Sequence, residues 1–154
     1  MKSMSSRVIL SGGLLAGTLD LIAAFVIYGD PVRVLQSIAS GLLGADSYNG
    51  ELSTAVLGGV LHFGIAVGAA AVYCVARVKI SLLANASTLS GLLYGVAVFA
   101  FMHWVVLPLS AFPHKLSYSP GILARGLIVH MFCIGLPISF VANRFASLND
   151  RSSS

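Results

Sequence analysis

The chain has 154 residues, 57% of them hydrophobic and 9% charged, against roughly 45–50% apolar and about 25% charged in soluble globular domains. That length allows one domain, and that balance excludes an ordinary water-soluble fold. The formal net charge is +4, but the nine Lys and Arg are scattered rather than gathered into a stripe, so nucleic acid is not an expected partner.

Four stretches are long enough to cross a hydrocarbon core of about 30 Å, which takes about 20 helical residues. They are Val8 to Tyr28, Ser53 to Ala76, Thr88 to Ala111 and Gly121 to Ala142. The first, preceded by Lys2 and Arg7, has the opening charge and apolar run of a signal peptide. Asp20 interrupts that run and no convincing small-x-small cleavage site follows, so it is expected to remain as a membrane helix. The expected fold is all-α: a four-transmembrane-helix bundle forming a single integral membrane domain over residues 1–154.

Between the first two spans, Asp30 suits a helix cap, Pro31 a first turn and Gly44 a stop, which predicts a short outer helix over 31–43. Val34, Leu35, Ile38, Ala39 and Leu42 share one face, with Arg33, Gln36, Ser37 and Ser40 opposite. Such a helix lies on the membrane surface or folds over the bundle mouth, as a seal for the helix ends or as a ligand gate.

The spans are rich in Gly, Ala and Ser, which let helix backbones approach where lipid offers no hydrophobic drive. Gly13 with Gly17, and Gly91 with Gly95, are small-xxx-small pairs. The halves look weakly alike: Gly13-Leu14-Leu15-Ala16-Gly17 parallels Gly91-Leu92-Leu93-Tyr94-Gly95, and His62 and His130 occupy comparable places in the second helix of each half. Both halves would start on the same side, as in a parallel repeat.

Orientation follows from Lys and Arg in the flanks. With the N-terminus inside, Lys2, Arg7, Arg77, Lys79, Arg144 and Arg151 are inside and Arg33, Lys115 and Arg125 outside. The excess predicts a multi-pass protein of a bacterial-type inner (cell) membrane with both termini cytoplasmic.

An ionisable group at bilayer depth costs several kcal/mol unless paired or hydrated, so each is a functional hypothesis. Asp20, His62, His103 and His130 lie 8, 9, 8 and 9 positions from the outer helix ends Tyr28, Ser53, Ala111 and Gly121, or about 12–14 Å below the boundary. One shared layer of three imidazoles and a carboxylate suits a transition metal such as Zn, Cu or Fe, with Cys133 one turn beyond His130 as a further soft ligand. Alternatively, two of His62, His103 and His130 are axial ligands of a haem. The same residues also suit a proton relay or a network that only fixes helix packing, with Asp20 paired to Arg125.

The two cysteines, Cys74 and Cys133, fall inside apolar runs and identify no redox compartment. No Ser, His and Asp spacing, phosphate-cradling Gly loop or HExxH motif is present, which points away from a soluble-type enzyme. His114, beside Lys115 between Pro113 and Pro120, reads as a surface residue.

From Leu61 to Ile134 the chain resembles the small bacterial inner-membrane proteins of the YagU type. The resembling pieces are Leu61-His62-Phe63, Val72-Tyr73-Cys74-Val75, Gly91-Leu92-Leu93, Met102-His103-Trp104 with Leu107-Pro108-Leu109, and Val129-His130-Met131, about half the chain. The resemblance implies a multi-helix inner-membrane protein with a histidine in three helices, and supplies no substrate or catalytic residue. The leading expectation is a protein holding a metal or haem at Asp20, His62, His103 and His130 for redox or metal handling. Its rivals are an accessory subunit, joined to another membrane protein or to a second copy, and a proton or small-ion path.

Overall fold

The structure is a computed structural model and describes residues 6–81, 83, 87–114 and 119–151; Lys2 and Lys115 of the orientation count lie outside these. Helix α1 is Ser6–Tyr28, α2 is Pro31–Leu43 and α3 is Glu51–Lys79. Helix α4 runs through Ser87–Phe101, Met102–Val106 and Leu107–Leu109, and α5 through Pro120–Val129, His130–Gly135 and Leu136–Arg151. The four expected spans are present: α1, α3, and the stretches Thr88–Leu109 and Pro120–Phe145 are each long and apolar enough to cross a membrane. At most 28% of the most apolar window of any span is buried inside the protein. An outward apolar surface of that extent belongs in lipid, so this is a multi-pass membrane protein in contact with the bilayer.

The spans alternate in direction, so α2 and residues 110–114 lie at one end, and the start of α1 and the end of α5 at the other. Gly13 and Gly17 seat α1 on α3: a Cβ at Gly13 would lie 2.5 Å from Val67 Cα, and one at Gly17 would lie 3.0 Å from Phe63 Cδ1. In the second half, Gly91 lies against Leu136 and Ser139, and Gly95 against His130 and Met131. Thus the two halves use the Gly-Leu-Leu-x-Gly element alike, each placing its second glycine beside the helix that carries the histidine. Helix α1 also packs on α5, and the apolar core, including Ala16, Ala70, Tyr73, Ile134 and Ile138, fills the terminal half of the bundle.

Both α4 and α5 contain a π-helical turn, Met102–Val106 and His130–Gly135. Pro108 and Pro137 explain them, since proline offers no N–H and its ring crowds the carbonyl four residues back, here that of Trp104 or Cys133. The wider turn relieves this: Leu107 N–H bonds to Met102 O and Leu136 N–H to Met131 O, five residues back. His103 and His130 therefore both sit in π turns, a feature frequent at functional sites.

Helix α2 has the predicted bounds and caps, with the Asp30 carboxylate accepting from Val32 N–H and Arg33 N–H and Gly44 in the left-handed region at φ 63°. Its buried face differs from the expected one. Gln36 and Ser40 are buried with Val34 and Ala39, whereas Leu42 is 62% exposed. Gln36 is drawn in because its Nε2 donates to Glu51 O at 2.9 Å, and Gly58 admits the α2 backbone at Leu35. Lipid carries no penalty for the outward leucine.

Candidate functional site: an intramembrane cavity under α2

Asp20 from α1, His62 from α3 and His130 from α5 line one cavity of about 830 Å³, within the size range of small-molecule and cofactor sites. Its walls are mostly apolar, with Leu21, Ile65, Val98, Met102 and Ile134 among them, and α2 contributes the roof through Arg33, Val34, Ser37 and Ile38. The roof is fastened by the Gln36 bond and by Ala111 N–H donating to Gly41 O at 2.9 Å.

His103, the fourth residue of the expected layer, is buried but is not part of the lining. Its ring stacks on Phe99 with centroids 5.5 Å apart and planes at 17°, and meets Trp104 edge-on at 5.2 Å. Phe99 precedes it by four residues and so shares its helix face, and Phe99 also contacts the His130 ring at 5.5 Å. Helix rise sets depth but not direction around the axis, so the common depth of the four groups could not reveal that one turns aside. Cys133 also lies outside the lining. Among the described residues, no three His, Cys, Asp or Glu side chains gather closely enough to hold a metal ion together.

The hydrogen bonds fix both cavity imidazoles. His62 Nε2 lies 2.8 Å from Gly17 O, and because a carbonyl only accepts, that nitrogen carries the proton. By the same reasoning His130 Nδ1–H donates to Gly126 O at 2.9 Å. In the neutral rings the lone pairs are then on His62 Nδ1 and His130 Nε2. Asp20 Oδ2 lies 4.0 Å from His62 Nε2. The expected Asp20 to Arg125 pair is absent among the described residues: Arg125 is exposed on α5, and the basic side chain near Asp20 is His62, whose Nε2–H is given to Gly17 O.

Two features escaped the sequence reading. At the mouth, Arg33, Tyr48 and His114 line the cavity together, with the Arg33 guanidinium 5.3 Å from the Tyr48 ring centroid and Tyr48 Oη 3.2 Å from His114 Nε2. Each residue lies in a different connection or helix, so no local pattern joins them. Below the cavity a polar clasp ties three spans: Tyr73 Oη lies 2.9 Å from Ser90 Oγ, Ser90 Oγ 3.4 Å from Ser139 Oγ, and Asn143 Nδ2 donates to Ser139 O while its Oδ1 accepts from Arg77. Small hydroxyls at bilayer depth gave the only hint of it.

Among the described residues, α3 and α4 do not approach closely along their backbones. They are joined instead by Tyr94 Oη donating to Ala69 O at 2.6 Å and by the Tyr73 to Ser90 contact. On α3 the lining residue Ile65 is 44% exposed, and nothing lies within 4 Å of a Cβ built on Gly68, one turn along. The cavity is thus closed toward the apolar core, and its α3 wall has no backbone seam with α4 like the one α3 makes with α1.

Comparison with protein-family models, curated proteins and solved structures finds no match for the chain.

Proposed function

We propose that the protein is an intramembrane binding protein whose cavity holds a cofactor-sized molecule with its polar or metal-bearing centre at Asp20, His62 and His130. One observation carries this reading: two imidazoles on different helices border one apolar cavity, and each spends its ring N–H on a backbone carbonyl. Ligating histidines are oriented in that way, with the second nitrogen left to bind. Haem suits the arrangement better than a bare ion, since it asks for one or two axial imidazoles and an apolar slot, whereas a closed zinc site asks for four protein ligands. A role in redox or metal handling follows.

The test is the optical spectrum, metal content and native mass spectrum of protein purified from haem- and metal-supplemented cells. A chromophore, metal or co-purifying molecule is expected, and His62→Ala and His130→Ala should each lose it while the helices remain inserted. Wild-type protein carrying none of the three would overturn the proposal.

A second reading is favoured by the same hydrogen bonds. Because the N–H of each imidazole is already given to a main-chain carbonyl, the polar layer also suits an accessory subunit in which it specifies helix packing, with another membrane protein or a second copy as partner. The membrane we propose is a bacterial-type inner membrane with both termini cytoplasmic, supported by the Lys and Arg excess, and the resemblance to YagU-type proteins agrees with that placement.

A further inference from the structure

We infer that the occupant of the cavity is an amphiphile that enters sideways between α3 and α4 and leaves an anionic head at the mouth against Arg33, Tyr48 and His114. The inference rests on the cavity being a binding site, and not on haem in particular.

The polarity of the cavity sets the direction. At its deep end the groups offered are acceptors: the Asp20 carboxylate and, in the neutral rings, the lone pairs of His62 Nδ1 and His130 Nε2. An anion is repelled there. At the mouth stands Arg33, whose guanidinium has no carboxylate within 4.0 Å among the described residues. Asp30 borders the same mouth, but its carboxylate is turned to the first N–H groups of α2. The Tyr48 ring beneath Arg33 holds the cation in place, and His114 and Tyr48 share a hydrogen-bond contact, so donors are gathered in advance of a ligand. The same three residues line a shallow depression just outside, where a head group would rest.

Between the two ends the walls are apolar, and Ile65, a wall residue 44% exposed, stands with Gly68 within a membrane-spanning helix that α4 does not cover by backbone packing, which is where sideways entry is inferred. A small soluble anion would gain nothing from these walls, whereas an apolar chain or ring is stabilised along their length. Haem, an apolar ring edged with carboxylates, is one member of this class.

The test compares oleate with its uncharged methyl ester, each binding to the protein in phosphatidylcholine nanodiscs, with protein-free nanodiscs subtracted. Oleate should bind at least about tenfold more tightly, the scale of one charge-assisted contact. Arg33→Gln should erase that preference and Arg33→Lys keep part of it, while Ile65→Trp, at an exposed position, should weaken both ligands by narrowing the side entrance. Equal binding of acid and ester, or a preference that survives Arg33→Gln, would overturn the head-group inference and leave the cavity as a binding site. Unchanged binding in Ile65→Trp would overturn sideways entry. Absence of binding by either ligand would overturn the amphiphile inference, and the metal and pigment measurements would then decide the cavity reading separately.

Discussion

The Nε2–H of His62 on α3 donates to the main-chain carbonyl of Gly17 on α1 at 2.8 Å, about one turn from the backbone approach of Gly13 to Val67. The polar layer and the small-residue seam are therefore one structure. A side chain at position 17 would press on Phe63 and Ala66 and lift the carbonyl from the imidazole. His62→Phe, which keeps a ring but removes the donor, should cost about 1 kcal/mol, the usual net worth of such a bond. Thermal unfolding in detergent without added ligand measures this, and an unchanged transition would assign His62 to ligand binding alone.

Neighbouring glycines should differ sharply. Gly13→Ala places a methyl group 2.5 Å from Val67 Cα, a backbone atom that cannot swing aside, and is expected to cost about 1–3 kcal/mol as overpacking. Gly12→Ala meets nothing nearer than Val141 Cγ1 at 3.7 Å and should be neutral or mildly stabilising. Chemical or thermal unfolding of the pair decides the point, and equal losses would mean that the α1–α3 seam is not as tight as described.

Gln36 should anchor the roof. It is 4% exposed and donates to the carbonyl of Glu51, the residue with φ 50° at the head of α3. Gln36→Leu leaves that strained turn without its tie and is expected to cost about 1–3 kcal/mol. Limited proteolysis across residues 29–50 should become faster, while α1 and α3 stay protected. Unchanged cleavage would place the anchoring of α2 elsewhere.

Pro137→Ala restores an N–H that can return to Cys133 O, so the π turn at His130–Gly135 is expected to anneal toward regular α-helix. Removing one residue's worth of bulge rotates His130 relative to the rest of α5. The variant should be as stable as the wild type, or more so, yet lose whatever binding His130 supports. Retained binding with an annealed turn, seen in amide hydrogen exchange, would show that the π turn does not aim His130.

Topology can be read by cysteine labelling after Cys74→Ala and Cys133→Ala. Ser47 in the first connection is fully buried, whereas Asn49 is exposed, as is Ser81 at the opposite end. Asn49→Cys should react with a membrane-impermeant maleimide from outside intact cells and Ser81→Cys only after lysis. The reverse pattern would place the termini outside.

The number, order and extent of the membrane spans were legible in the sequence because they follow from unbroken apolar length, and length along a helix is a local property. The caps of α2 were legible for the same reason: Asp30, Pro31 and Gly44 act on backbone groups within a few residues of themselves. Depth was also local, so Asp20, His62 and His130 could be assigned to one layer from helix rise alone. Only the tertiary structure decided azimuth and partnership. It turned His103 aside onto Phe99, set Asp20 beside His62 rather than Arg125, and drew Gln36 and Ser40 inward on α2. It also joined Arg33, Tyr48 and His114 across 81 positions of chain. In lipid the apolar pattern does not mark an inner face, because outward leucines cost nothing there. Which side of each helix meets its neighbours is then set by backbone approach at glycines and by hydrogen bonds between distant residues, and neither is written in any one segment.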